Sequence, residues 1–283
     1  MIKRQNFRYV VDDDTPPPPL VRDLLTRGHA LAKGTFSADE VAALRADIDD
    51  VFERYPPDLR AGRASEANAA MFRYEVFNRS AAAQRALADR RILDAVEPLI
   101  GDDCHVIACT AWRNPGDPEH APRGQEWHTD AGPHVPRRPG TPWPEEIPYP
   151  VFAIATHLFL EDCGEKDGPT AVLEGTHRSG LAPPKEREWD LDLEFEGTSP
   201  VPILAEAGDV AFFISDTWHR RLPPRPGGTG RYFLQINYGR RDLAQRVRPS
   251  EDVNHTTRAA RERARTDRER TLIGLHPARF YDG

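Results

Sequence analysis

Residues 207–238 read Ala207-Gly-Asp-Val-Ala-Phe-Phe-Ile-Ser-Asp-Thr-Trp-His-Arg-Arg-Leu-Pro-Pro-Arg-Pro-Gly-Gly-Thr-Gly-Arg-Tyr-Phe-Leu-Gln-Ile-Asn-Tyr238. Two short apolar and aromatic runs, 209–215 and 231–238, flank a Pro/Gly-rich connection, and the tight turn Ala207-Gly-Asp209 prefaces the first. Runs of this length bounded by turn residues read as buried strands. The same texture reaches back to about residue 104, with further runs at 104–113, 151–160 and 170–174. Upstream the period changes. Ser37-Ala-Asp-Glu40 is a capping box, and Val41, Leu44, Ile48, Val51 and Phe52 follow at helical spacing until Pro56-Pro57 stops the helix. Arg85 to Ile100 predicts one or two more helices closed by Gly101, and His29–Gly34 a short strand.

Helices followed by a run of strands indicate one α+β domain, mainly β, whose strands close into a jelly roll or barrel. Residues 1–19 end in Asp12-Asp-Asp-Thr-Pro-Pro-Pro-Pro19 and are expected to form a flexible, extended leader. A single domain then covers 20–283: a helical layer over about 20–103, a jelly-roll core over about 104–240 and a charged C-terminal helix over about 256–272. Proline, 27 of 283 residues, is nearly twice its usual share of about 5%, which disfavours an all-helical bundle. A net charge of −7 is a poor match for nucleic acid, which needs a basic footprint. Cys104, Cys109 and Cys163 form no CxxC pair and no disulfide framework, so reduced thiols and a cytoplasmic setting are expected. No apolar run approaches a membrane span, and no charged start leads into a signal core. Oligomeric state is not legible at this level.

The chemistry centres on His128-Thr-Asp130. On a strand, residues two apart share a face, so an imidazole and a carboxylate would be presented together. His219, just after the run ending at Ser215, is the best third ligand. Two histidines and one carboxylate form the facial triad of non-haem Fe(II) oxygenases. Trp127 and Trp218, each preceding a ligand, are candidates to shield the metal or to pack as core. Arg231 opens an otherwise apolar strand and is costly to bury unless it meets an anion, for which a carboxylate is the natural partner. If it points inward, Phe233, Gln235 and Asn237 share its face. The Pro-dense loop 131–150, with His134, Arg137, Arg138 and Trp143, reads as a substrate lid or an inert cover. Arg73 is a second candidate anion contact or a surface ion pair. His29, His105, His120, His255 and His276 have no ligand-spaced partner.

These residues together resemble the phytanoyl-CoA dioxygenase family of Fe(II)/2-oxoglutarate-dependent oxygenases over about residues 22–240. Gly28-His-Ala-Leu-Ala-Lys-Gly-Thr-Phe-Ser-Ala-Asp-Glu-Val41 is similar to the family's opening strand and helix. Trp127-His-Thr-Asp130, Leu160-Glu-Asp162, Asp167-Gly-Pro-Thr170, Gly175-Thr-His-Arg178, Ala207-Gly-Asp209, His219 and Arg231 follow in the family's order. The resemblance implies a double-stranded β-helix (jelly roll, cupin-like) holding Fe(II) through His128, Asp130 and His219. It implies Arg231 on the far carboxylate of 2-oxoglutarate, with Thr110 as a further cosubstrate contact. His157 stands where relatives often carry an aromatic residue, so it contacts cosubstrate or substrate or simply packs. Glu174 and Thr176 replace the Pro and Ser of the family's Gly-Ser-His-Arg loop, and His177 is expected to be structural there.

Asp130 favours oxygenation over halogenation, since related halogenases carry Ala or Gly at that place. The implied reaction uses O2 and 2-oxoglutarate, forms succinate and CO2, and hydroxylates, desaturates or cyclises a small molecule such as a secondary metabolite or amino-acid derivative. Arg73, Trp127 and His134 are the candidate substrate contacts. Two alternatives stay open: a cupin-like isomerase or hydrolase that uses no 2-oxoglutarate, and a jelly-roll binding protein with a degenerate site.

Overall fold

The computed structural model describes residues 2–5, 8–11, 16–56, 71–119, 123–130, 132–141, 143–144, 147–243 and 256–276. The strands β1 (Ile2–Gln5) and β2 (Arg8–Val11) pair as an antiparallel ribbon. The stretch expected to be an extended leader therefore carries paired strands. Its last proline, Pro19, opens α1 (Pro19–Arg27), at a helix start where the missing N–H costs nothing. Next come β3 (His29–Ala32) and α2 (Ala38–Arg54), which starts on the expected capping box: Ser37 N–H donates to Glu40 Oε2 at 2.8 Å and Glu40 N–H returns to Ser37 Oγ at 3.4 Å. Strand β4 (Phe72–Tyr74), α3 (Ala81–Ala86) and α4 (Arg90–Ile100) complete the N-terminal part.

The remaining strands are β5 (His105–Pro115), β6 (Ala153–Phe159), β7 (Thr170–Val172), β8 (Val201–Pro202), β9 (Val210–Ile214), β10 (His219–Arg221) and β11 (Gly230–Gly239). They form two antiparallel sheets, one ordered β3-β9-β6-β11-β5-β4 and a smaller one ordered β10-β7-β8. Strands β3 and β4, from the expected helical layer, thus extend the large sheet at its two edges.

Side-chain alternation along the central strand separates core from cavity. Tyr232, Leu234, Ile236 and Tyr238 pack in the cluster that holds Val21 and Leu24 of α1, Leu44 and Ile48 of α2, and Leu93 and Val96 of α4. Leu234, Ile236, Leu24, Ile48 and Leu93 are fully buried, each contributing about 1.5–3 kcal/mol. Arg231, Phe233, Gln235 and Asn237 face the other way and line a cavity. The helical layer backs the large sheet, and the sheet's opposite face is left for chemistry.

The expected C-terminal helix is two short ones, α5 (Arg258–Arg263) and α6 (Asp267–Leu272). Ala264 turns extended, and Thr266 starts a second capping box with Glu269, so local hydrogen bonding favours a restart over continuation. Arg263 Nη2 donates to Phe77 O and Arg268 Nη1 to Cys104 O, both at 2.6 Å, fastening this segment to the body. No helix among the described residues is long and apolar enough to cross a membrane.

Candidate metal centre

His128 and His219 meet through an isolated antiparallel bridge, exchanging both backbone hydrogen bonds at 3.0 Å. His128 therefore lies in no full strand, yet the bridge brings the two rings together, centroids 4.3 Å apart and tilted by 55°. Asp130, two residues on, is held by its N–H on Ser215 O at 3.1 Å. One ligand atom from each of His128, Asp130 and His219 lies within 4.8 Å of the others.

Each imidazole is oriented by the carbonyl two residues before it. His128 Nδ1–H donates to Glu126 O at 2.8 Å and His219 Nδ1–H to Thr217 O at 2.9 Å. Carbonyls only accept, so both Nε2 atoms are left as lone-pair donors, the outer-shell arrangement of metal-binding histidines. Burial alone would raise the Asp130 pKa, but His219 and His128 outweigh it and hold it down to about 2. Burial would likewise lower His219, and the Asp130 carboxylate reverses the direction and raises it. Burial, then His219, lowers His128. The carboxylate is thus ionised, and Asp130 Oδ2 is buried without a hydrogen-bond partner.

A cavity of about 140 Å³ extends from this group. Both sheets line it: Tyr74, Thr110, His157, Arg231, Gln235 and Asn237 from the large one, Thr170, His219 and Arg221 from the small one. Thr110, Gln235 and His157 form one rung across β5, β11 and β6. His157 is buried among Phe159, Phe213 and Phe233 with Nδ1 unbonded, and burial, then Arg231, lowers its pKa well below the ordinary value. Asn237 Oδ1 is also buried and unbonded.

Arg231 does point inward. Nη1 donates to Thr170 Oγ1 at 2.7 Å, Nη2 to Asn114 Oδ1 at 2.9 Å, and Nε is buried without a partner. Both acceptors are neutral, and no carboxylate of the described residues pairs with it. Burial, then the charge of Arg221, lowers Arg231 to about 9. A buried cation of this kind costs several kcal/mol unless an anion joins it.

Three expected substrate contacts lie elsewhere. Trp127 alternates away from His128: its Nε1–H donates to Asp190 O at 2.7 Å, and it packs with Trp218, Leu173 and Leu193 behind the small sheet. Trp218 is turned the same way, donating to Leu181 O at 2.7 Å. Neither shields the ligands directly. Arg73 is in register with Ala111 and donates to the carbonyls of Phe52 and Tyr55 at 3.2 Å, satisfying the C-terminus of α2. Its neighbour Tyr74 is the one that reaches the cavity.

His134 stacks on Phe152 with centroids 5.0 Å apart and is bound to Asp216 through both its backbone N–H and Nδ1. Tyr149 O–H donates to the same carboxylate at 3.0 Å. The segment read as a lid or a cover is therefore tied through His134 and Tyr149 to the turn between β9 and β10. His177 donates from Nε2 to Leu25 O at 3.1 Å, away from the cavity. His29 pairs with Glu174 and His105 with His276. His120, His255, Ala131 and parts of 142–146 lie outside the described residues.

Asn114, Thr170 and Arg221 escaped the reading of the sequence. Arg221 had a signal, since it stands two residues after His219 on a strand and shares its face. Asn114 shares the face of Thr110 on β5 but meets Arg231 only through strand register, and Thr170 meets it only across the cavity, from the other sheet.

The fold thus gathers, at one cavity between two antiparallel sheets, a His-Asp-His group that could hold a metal ion and a buried arginine. The profile of the phytanoyl-CoA dioxygenase (PhyH) family matches residues 25–223, and the chain belongs to that family. No curated protein matches it by sequence. Among solved structures it is similar to HygX from Streptomyces hygroscopicus, crystallised with nickel and 2-oxoglutarate (15% identity, 81% of this chain and 88% of that one, TM-score 0.60). It is also similar to EctD from S. alaskensis with 2-oxoglutarate and 5-hydroxyectoine (22% identity, 82% and 79%, TM-score 0.60). The epimerase SnoN of nogalamycin biosynthesis, with Fe3+, alpha ketoglutarate and nogalamycin RO, is a third (18%, 78% and 82%, TM-score 0.60).

Proposed function

We propose that this protein is an Fe(II)/2-oxoglutarate-dependent oxygenase acting on a small molecule, with the two sheets as halves of a double-stranded β-helix. One observation carries the reading: a His-Asp-His group and a buried arginine without an acidic partner line the same cavity. The donor set fits Fe(II), because two imidazole nitrogens and one carboxylate leave coordination positions for cosubstrate and O2. The cavity fits 2-oxoglutarate, whose far carboxylate would satisfy the unpartnered guanidinium. When bound, iron and 2-oxoglutarate activate O2 to oxidise substrate, with release of succinate and CO2.

The chain's own residues prepare this. His128 and His219 present Nε2 because Glu126 O and Thr217 O hold Nδ1–H. Asp130 supplies the negative charge. Phe213 and Phe233, beside His157, keep the interior dry. Exposed Gln125, with half-buried Tyr74, Trp112 and Gln235, marks the open end where substrate enters. The three cysteines are free and buried, which supports the reduced, cytoplasmic setting.

The test is succinate release from 2-oxoglutarate by Fe(II)-loaded protein with candidate small molecules, together with metal content. His128→Ala and Asp130→Ala should each abolish succinate formation and lower bound iron at least tenfold. Retained turnover in both would overturn the triad. Turnover of a substrate without 2-oxoglutarate would point to the cupin-like alternative.

A further inference from the structure

The cavity contains a second buried cation that the reading above leaves without a role. Arg221 is 4% exposed, lines the cavity and shares the face of His219 on β10. Its Nη2 donates to Pro115 O at 2.7 Å, and Nε is buried without a partner. No carboxylate of the described residues pairs with it. Its neighbours are Cys163, the Gly168 backbone and Arg231, and the carboxylate of Asp167, beside Gly168, is taken up by Gly164, Thr229 and Gly230. The two arginines converge on one place. Thr170 is the register partner of Arg221 and accepts from Arg231 Nη1, while Pro115 and Asn114, the acceptors of Arg221 and Arg231, are adjacent on β5.

Arg220, between His219 and Arg221, is equally buried and also borders the cavity, but its guanidinium is spent elsewhere: it lies 5.6 Å from the Trp127 ring centroid and donates to Asp190 O and Arg123 O. Arg221 has Pro115 O as its one acceptor among the described residues. Two like charges buried side by side are unfavourable unless an anion is shared between them. Each guanidinium has five N–H donors, of which Arg231 spends two and Arg221 one on neutral acceptors. A carboxylate has acceptor capacity for bonds from both.

We propose that Arg221 is a second ligand for the far carboxylate of the cosubstrate, forming with Arg231 a two-arginine clamp that selects a 2-oxo dicarboxylic acid over 2-oxo monoacids. The proposal rests on the oxygenase reading. Arg221 sets affinity for one end of the cosubstrate and leaves the metal ligands unaffected.

The test is anaerobic titration of Fe(II)-loaded protein, following the visible charge-transfer band of the bound 2-oxo acid. Two probes are used: 2-oxoglutarate, and 2-oxopentanoate, which has the same chain length without the far carboxylate. The variants are Arg221→Met and Arg221→Gln, the latter keeping a donor toward Pro115 O. In both, 2-oxoglutarate binding should weaken by roughly ten- to a hundredfold, the range of charge-assisted hydrogen bonds. Affinity for 2-oxopentanoate and for Fe(II) alone should stay within about twofold of wild type. Equal weakening of both probes would make Arg221 structural and overturn the proposal, as would unchanged 2-oxoglutarate binding. Should Arg221→Met not fold, Arg221→Gln decides by the same comparison. Wild-type protein that develops no band with 2-oxoglutarate would overturn the oxygenase reading itself.

Discussion

Asp216 is the residue whose removal should most disturb the surroundings of His128, Asp130 and His219 without touching them. Its carboxylate, 3% exposed, accepts from His134 N–H at 3.1 Å, from His134 Nδ1 and from Tyr149 O–H at 3.0 Å. A Cβ on Gly132 would sit 2.8 Å from Oδ1, so the chain passes flush against the carboxylate two residues after Asp130. The preceding residue, Ser215, accepts the Asp130 N–H, and the following one, Thr217, accepts His219 Nδ1–H. One turn thus braces Asp130, His219 and the segment that follows Asp130.

Asp216→Ala deletes three hydrogen bonds to a buried carboxylate and strands their donors. Each bond to a charged group is worth about 1.5–3 kcal/mol, but they share one acceptor, so the expected loss is about 3–5 kcal/mol rather than the full total. Urea unfolding at pH 7 reads that loss as a lower midpoint at unchanged slope. Tyr149→Phe alone should cost about 1.5–3 kcal/mol, and almost nothing in the Asp216→Ala background, because its partner is already gone. Limited proteolysis should show new cleavage within 132–150 in the Asp216 variant. A stability within 1 kcal/mol of wild type, with Tyr149→Phe equally costly in both backgrounds, would refute the idea that this carboxylate ties the segment down.

Two further outcomes follow from backbone and burial. Gly208 has φ +95°, and an added Cβ would lie 2.2 Å from Phe36 O, so Gly208→Ala should lower stability by about 2 kcal/mol or more, read as a fall in Tm. A Tm within 1 °C of wild type would contradict it. Burial pushes His177 from 6.5 down to about 4 in the folded protein, outweighing its bond to Leu25 O. Between those values the unfolded chain takes up a proton that the native state refuses. Stability is therefore full above about pH 6.5 and falls as pH drops, by about 3 kcal/mol near pH 4. His177→Gln, which keeps a donor, should show a shallower acid dependence of the urea midpoint; an equal dependence would place the titration elsewhere.

The amino-acid sequence by itself determined what depends on neighbours a few residues apart. The capping box at Ser37, the helix stop at Pro56, the apolar runs that became β5, β6, β9 and β11, and the inward face of Arg231, Gln235 and Asn237 all follow from local periodicity. The His128-Thr-Asp130 spacing belongs to the same kind, since two residues of extended chain present both side chains together. The same alternation turns Trp127 and Trp218 away from the histidines that follow them and turns Arg221 with His219. Charge pattern alone does not separate α5 from α6, because a restart at Thr266 has the same charge pattern as continuation.

Only the tertiary structure decided which distant residues meet. Arg73 caps α2 because β4 runs at the sheet edge beside that helix end. His134 serves Asp216 because the chain after Asp130 folds back onto the β9–β10 turn. Asn114 reaches Arg231 through the register of β5 and β11, and Thr170 reaches it from the other sheet, across the cavity. A strand's pattern states which way its side chains point, whereas the partner across the sheet or across the cavity is set by register and packing, which depend on the whole core at once.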